Sequence, residues 1–242
     1  MSTEPHRIQV DGLSIDVIRK DIKNLHLGVY PPNGRIRVAA PLVVNDEAVR
    51  LAVVSRLGWI KRQQRRFDAQ ERQSARDFVS GESHYFLGRR YRLTVIEGAK
   101  RASIQIVGKT RIEMRIPVDM GREARENLML RWLRLQLRSL AADLLARKAE
   151  EMAVPVPTLG IKRMKTKWGT YSSAEHRVWL NLELIKKPLQ CVEFIVVHEL
   201  VHALERDHND RFISIVDRHL PLWRSLRGEL NSAPLAHETW SY

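Results

Sequence analysis

Cysteine is almost missing from this chain: Cys191 stands alone among 242 residues. One thiol cannot build an internal disulfide framework, and it leaves no Cys-x-x-Cys pair for a zinc ribbon. Cys191 itself reads as a small buried hydrophobe near a helix start. Long apolar runs are missing too. No stretch approaches the roughly 18 residues that a membrane-spanning helix needs, so no membrane span is expected. The first residues, Met1-Ser2-Thr3-Glu4-Pro5, hold neither a basic head nor an apolar stretch, so no secretory signal is expected either. Together these absences predict a cytoplasmic protein. Acidic charge is also short: 28 Asp+Glu against 41 Lys+Arg leave a net charge of +13. Such a surplus attracts polyanions, nucleic acid foremost, although a generally basic surface carries the same sign. A hydrophobic share of 44% and a charged share of 29% mark a foldable globular chain. Its length allows one large domain or two small ones. No internal repeat and no low-complexity segment is evident.

What the chain does contain is Phe194-Ile195-Val196-Val197-His198-Glu199-Leu200-Val201-His202, a His-Glu-x-x-His pattern inside an apolar, helix-compatible run. Residues four apart share one face of a helix, so His198 and His202 can aim their rings at one point. Two neutral imidazoles at that spacing suit zinc. Glu199 lies about 100° round the helix. There it can stand beside a metal-bound water without ligating the metal, and take that water's proton. Buried charged groups are costly unless paired or metal-bound, so these residues in an apolar helix ask for a reason. A catalytic zinc needs a third protein ligand and an open position. His208 is the leading candidate, at the spacing of the extended metzincin signature; Asp217, His219 and Glu229 are its rivals. An unbroken helix would turn His208 about 240° away from the His202 face, so the helix must end between them. The metzincin pattern has Gly where this chain has Glu205. Asp207 is expected to end the helix in its place, by adopting a left-handed conformation.

In chain order, Ile8 to Ala40 alternates as strands and reads as an antiparallel meander, with a turn at Pro31-Pro32-Asn33-Gly34. Asn45 caps a basic helix reaching to about 72–75, with Val49, Val53, Leu57 and Ile60 inward. Its Lys61, Arg62, Arg65, Arg66 and Arg72 suit either a phosphate-contacting face or a solvated one. Gly81 to Pro117 reads as two hairpins. A long helix follows from Gly121 to about Met152, striped by Leu133, Leu137, Leu140 and Leu144. Thr158–Lys165 and Arg177–Leu182 read as strands, and Pro188 opens the helix that holds the His pair. Short helices are expected over Asp210–Arg218 and Leu222–Leu230, then a loose tail from Asn231. The predicted class is α+β, with an antiparallel β-rich region and one basic helix in 1–120. A helical domain with a small sheet is expected in 121–242.

Taken together, Lys162-Arg163-Met164-Lys165-Thr166-Lys167-Trp168-Gly169, Leu180-Asn181, Val197-His198-Glu199-Leu200-Val201-His202 and His208-Asn209 with Arg211-Phe212 resemble the YgjP-like metallopeptidase family. Trp59-Ile60 and Tyr85-Phe86-Leu87-Gly88-Arg89-Arg90-Tyr91 resemble its leading region, so the likeness spans most of the chain. The resemblance implies a minimal zincin core, with zinc on His198, His202 and His208 and Glu199 as general base. It also implies kinship in motif with SprT-like and WLM-type proteases that digest DNA-crosslinked proteins. The family's Cys after Trp-Gly-Ser is absent here, where Trp168-Gly169-Thr170-Tyr171-Ser172 stands. By the same resemblance, Arg177–Leu182 would pair with an extended substrate. Tyr171 could offer its phenol to an oxyanion, and Trp168 and Trp179 could border the cleft, though core packing suits both.

The leading expectation is therefore a zinc-dependent metallopeptidase acting on a protein or peptide, with DNA contact through the basic surface as an added option. Two alternatives stand beside it. One is a basic nucleic-acid-binding protein with a structural zinc, which four protein ligands would reveal. The other is a non-peptide zinc hydrolase, because the same chemistry cleaves esters.

Overall fold

Strands β1 (His6–Val10) and β2 (Leu13–Lys20) form a hairpin turned by Asp11-Gly12, both at positive φ (49° and 73°). That turn matches the right-handed twist of its strands. The computed structural model describes residues 6–30, 34–69, 76–164 and 167–232. The turn at Pro31-Pro32-Asn33, the end of the basic helix at 70–75, Lys165-Thr166 and the tail from 233 onward lie outside the described residues. The chain folds as two compact units that meet in sequence at Gln73 and Ser74. The fold is α+β, with a β-rich N-terminal half.

In the first unit, β2 pairs in parallel with β4 (Arg35–Pro41), and β3 (His26–Tyr30) pairs antiparallel with β4. The order β1-β2-β4-β3 makes a mixed sheet instead of the expected meander. Ile15, Val17, Ile36, Val38 and Ala40 alternate onto one buried face. They share a core with Val49 and Val53 of α1 (Asp46–Val54) and Ile60 of α2 (Leu57–Ala69). Asn45 caps α1 by accepting from the Ala48 N–H at 2.9 Å, satisfying a donor the helix cannot. The expected single helix breaks at Ser55-Arg56. There the Ser55 hydroxyl donates to the Ala52 carbonyl at 2.9 Å, a local bond that competes with helical continuation. Lys61, on the basic face of α2, pairs with Asp11 at 2.8 Å.

The second unit begins by repeating the first. Strands β5 (Ser83–Phe86), β6 (Arg89–Glu97), β7 (Ser103–Val107) and β8 (Arg111–Ile116) pair in the order β5-β6-β8-β7, again antiparallel, parallel, antiparallel. The hairpin turn is Leu87-Gly88, at φ 47° and 77°. Phe86, Tyr91, Leu93, Ile112 and Met114 are buried where Val10, Ile15, Val17, Val38 and Ala40 are buried in the first sheet. A helix, α3 (Arg122–Glu151), then follows β8 as α1 follows β4. The chain thus holds an internal repeat, contrary to expectation. It is written in burial and turn geometry and hardly at all in identical residues.

The second sheet shares its core with everything that follows, from Phe78 to Leu230. The boundary expected near Gly121 falls between β8 and α3. Strands β9 (Thr158–Lys162), β10 (Gly169–Ser172) and β11 (Arg177–Asn181) form a third sheet, ordered β10-β11-β9. A 3₁₀ turn, Leu182–Lys186, leads into α4 (Leu189–Val201), then α5 (Asp210–His219) and α6 (Trp223–Ser232). Helix α4 is apolar nearly all round. Cys191, Val192, Phe194 to Val197 and Leu200-Val201 are all buried, as a helix enclosed by its neighbours requires. Each such side chain contributes roughly 1.5–3 kcal/mol. The Leu87-Gly88 turn braces the start of α4: its N–H groups donate to the Ile185 and Lys186 carbonyls at 2.8 and 3.2 Å.

Gly88 sits at φ +77°, and an added Cβ would lie 2.8 Å from Pro188 Cγ. Gly88→Ala should lower stability by on the order of 1–3 kcal/mol in denaturant unfolding. Gly12→Ala meets nothing within 4 Å and should cost less; equal losses would remove the bracing role. A second outcome concerns His84 on β5. Burial, helped by Arg76, pulls its imidazole down to about 4 against the opposing Glu82. Between pH 6.5 and 4 the unfolded chain therefore binds a proton that the folded chain refuses. The stability His84 contributes is present above pH 6.5 and lost as pH falls toward 4. His84→Gln should flatten the acid side of the stability–pH curve by about one proton's slope.

Candidate metal centre

The rings of His198 and His202 stand on one face of α4 with centroids 5.1 Å apart. The helix then stops. His202 is its C-cap, and the chain leaves through a tight turn in which Ala203 and Leu204 donate to the Leu200 and Val201 carbonyls at 2.9 Å. That stop brings His208 back. Its ring lies 4.8 Å from His202 and 5.0 Å from His198, and its Nε2 is 3.1 Å from His198 Nε2. One donor nitrogen from each of the three rings falls within 4.8 Å of the others. Asp207 is not among the residues at positive φ, so the expected left-handed stop is not used. A 3₁₀-type turn needs no glycine, which explains how Glu205 can stand at that position.

Asn209 then starts α5 by accepting from the Phe212 N–H at 3.0 Å. This cap swings Phe212 beneath all three imidazoles, with centroids 4.6 to 5.0 Å away. The rivals for third ligand are occupied elsewhere or stand apart. Asp217 accepts from Trp223 Nε1 at 2.7 Å and pairs with Arg224 at 2.5 Å. Glu229 accepts from Gln190 at 3.2 Å. His219 lies outside the three-His group.

The residues fit a divalent cation on three counts. A carbonyl can only accept, so the 3.2 Å contact from His202 Nδ1 to the Glu205 carbonyl fixes the proton on Nδ1. Nε2 is then left bare for a metal. Burial pulls His198 down to about 4, helped by His202, His208 and Arg227, so its ring is neutral, the form that ligates. Finally, zinc–nitrogen bonds at tetrahedral angles hold donor nitrogens about 3.3 Å apart, close to the observed 3.1 Å. Among the described residues no fourth His, Cys, Asp or Glu joins the group.

Glu199 is 4% exposed and outside that group. Burial raises its carboxyl to about 7, against the pull of Lys167 and of the Tyr171 N–H that donates to it. Gly169 permits this approach. A Cβ there would lie 2.6 Å from Glu199 Oε1 and 2.8 Å from Ile195 Cγ2. Asn181 secures the segment before β10, donating from Nδ2 to the Met164 and Lys167 carbonyls at 2.7 and 2.9 Å, while its own N–H donates to the Trp168 carbonyl at 2.8 Å.

A cleft of about 1030 Å³ opens over the imidazoles and is lined by Trp168, Tyr171 and Glu199 among others. Trp179 does not line it. Its ring lies over Gly160, with Lys162 Nζ 4.4 Å and Arg177 Cζ 5.4 Å from the ring centroid. The Tyr171 phenol is hydrogen-bonded to His176 Nδ1 at 2.9 Å; it is the residue's backbone that reaches Glu199. Strand β11 lies between β10 and β9, so both its edges are taken. Among the described residues, the edge beside the cleft that carries no further strand belongs to β10, not to Arg177–Leu182 as expected. The sequence alone assigns no site role to Gly169, Phe212, Arg206 or Arg227; of these, Gly169 and Phe212 carried a signal, in Trp168-Gly169 and Arg211-Phe212.

Three imidazoles with an adjacent buried carboxylate, on a helix that opens to a cleft, define a site of the single-metal hydrolase class. The YgjP-like, metallopeptidase domain family matches residues 23–233. The chain belongs to that family, and with it to the metal-dependent hydrolases. No curated protein matches it. Among solved structures it is similar to the metallopeptidase zymogen of Methanocaldococcus jannaschii jannalysin, at 17% identity and TM-score 0.35 over 37% of this chain and 92% of that one. It is similar also to the zymogen of Pyrococcus abyssi abylysin, at 18% and 0.35 over 39% and 99%.

Replacing His208 with Ala should weaken zinc binding by more than about 100-fold in a competitive chelator titration, whereas Asp217→Ala should leave it within a few-fold of the parent. The reverse ranking would move the third ligand to α5.

Proposed function

We propose that this chain is a zinc-dependent peptidase that hydrolyses peptide bonds in a protein or peptide substrate, with Glu199 as general base. The observation that carries this reading is the three-imidazole group, without a fourth protein donor among the described residues, beside a buried carboxylate. His198, His202 and His208 would hold the zinc. When bound, zinc supplies Lewis acidity, lowering the pKa of a water and polarising a carbonyl. Glu199 takes the proton of the attacking water and returns it to the leaving amine nitrogen. Its carboxyl, raised to about 7 by burial, is a stronger base than an exposed one; a cation on the imidazoles would draw it part of the way back. The Tyr171 N–H and the closeness of Gly169 keep the carboxylate on the cleft side of α4. The free edge of β10 offers main-chain pairing to an extended substrate, which gives affinity with little sequence selectivity. Trp168 forms part of the wall.

A structural zinc in a nucleic-acid-binding module is less well supported, because such sites are closed by four ligands. DNA contact rests on the net charge of +13 alone. No helix among the described residues is long and apolar enough to cross a membrane, and a lone cysteine suits a reducing cytoplasm.

Glu199→Gln should retain one zinc per chain and lose peptide cleavage by at least about 10²-fold in kcat. Gly169→Ala should also retain zinc and lower kcat, because the added methyl displaces the same carboxylate. Undiminished cleavage by purified Glu199→Gln would refute this choice of base.

A further inference from the structure

The cleft over the imidazoles carries charge of one sign. Lys167 ahead of β10, Arg206 in the turn after α4 and Arg227 on α6 line it from three separate elements. All three side chains are exposed. The only carboxylate among the lining residues is Glu199, buried at the floor. Nearby acids that might neutralise the rim are engaged away from it. Glu205 faces Arg211 at 3.8 Å, Asp217 holds Arg224, and Glu229 accepts from Gln190. Asp207 follows Arg206 in sequence but does not line the cleft. Among the described residues, none of the three lining cations is in an ion pair.

Resting on the peptidase reading, we propose that this cleft selects acidic substrate segments, with Asp or Glu flanking the scissile bond. A peptide extended along the β10 edge turns successive side chains to opposite sides. Carboxylates on it reach guanidinium and ammonium groups that are in no ion pair among the described residues, and Arg can grip a carboxylate through two parallel hydrogen bonds. Lysine or arginine at the same places meets like charge. The excess of one sign in a walled cleft also concentrates anionic segments near it.

The test uses the full chain loaded with zinc and three fluorogenic peptides of one length and one scissile pair. They are flanked by Glu, Gln or Lys. The expected order of kcat/KM is Glu over Gln over Lys, with roughly five-fold or more between Glu and Gln at low salt, narrowing as ionic strength rises. In Arg206→Gln/Arg227→Gln the Glu-to-Gln ratio should collapse toward one. That readout is a ratio, so partial loss of folded protein does not disturb it. Binding of the same labelled peptides to Glu199→Gln, followed by anisotropy, separates the two readings. Tighter binding of the Glu peptide with no cleavage of any peptide by the parent chain would sink the peptidase reading and leave the acidic preference standing. Cleavage of all three peptides at equal kcat/KM would overturn the preference and leave the peptidase standing. Displacement of the Glu peptide by a single-stranded oligonucleotide of equal charge, at equal concentration, would also overturn it, by showing a groove for polyanions in general.

Discussion

Helix α4 ends at His202, and the site depends on that ending. One more helical turn would carry His208 to the opposite side of the helix. The stop instead sends the chain back, so that His208 Nε2 comes within 3.1 Å of His198 Nε2. The same turn presents the Glu205 carbonyl to His202 Nδ1. A single local event thus recruits the third ring and sets the tautomer of the second. Everything around α4 holds it still. Its flanks are buried against α3, α5, α6 and β10, and its start is braced by the Leu87-Gly88 turn of the second sheet. A site on so rigid a helix is preorganised, as a metal centre with only three protein donors needs to be.

The same packing divides labour between neighbouring residues. His198 and Glu199 are adjacent on a buried helix, yet one is pushed down to about 4 and the other up to about 7. Burial favours the neutral form in both cases. For the imidazole this frees a lone pair; for the carboxylate it raises the proton affinity. Gly169 lets β10 approach closely enough for the Tyr171 N–H to donate to that carboxylate. The cleft therefore has a low-dielectric floor and a cationic rim, two different electrostatic settings a few side chains apart.

Much of this was legible in the residues. The His-Glu-x-x-His spacing on an apolar run located α4 and both of its rings, because helical periodicity is a local property. His208 could be named because a helix stop was geometrically required, but the means of stopping could not. The turn after His202 uses i to i+3 bonds and no left-handed residue, so Asp207 drew attention that belonged to the backbone. Strand existence was readable from alternation, whereas strand order was not. Parallel pairing of β2 with β4 and of β6 with β8 joins segments separated in sequence, and alternation is blind to partners. For the same reason the residues of Arg177–Leu182 do not show that β11 lies between β10 and β9. The repeat of the two sheets is not legible in the residues because Ile15 answers to Tyr91 and Val38 to Ile112: the burial is kept and the residues are not. Arg206 and Arg227 carry no signal as site residues in the sequence, since only the fold brings their elements to one cleft.

The most direct measurement is X-ray absorption at the zinc edge of the purified, zinc-loaded full chain. The account predicts a first shell of three imidazole nitrogens at about 2.0–2.1 Å and one light exchangeable ligand, with one imidazole lost in His208→Ala. A shell closed by four protein donors, or a sulfur scatterer from Cys191, would contradict it.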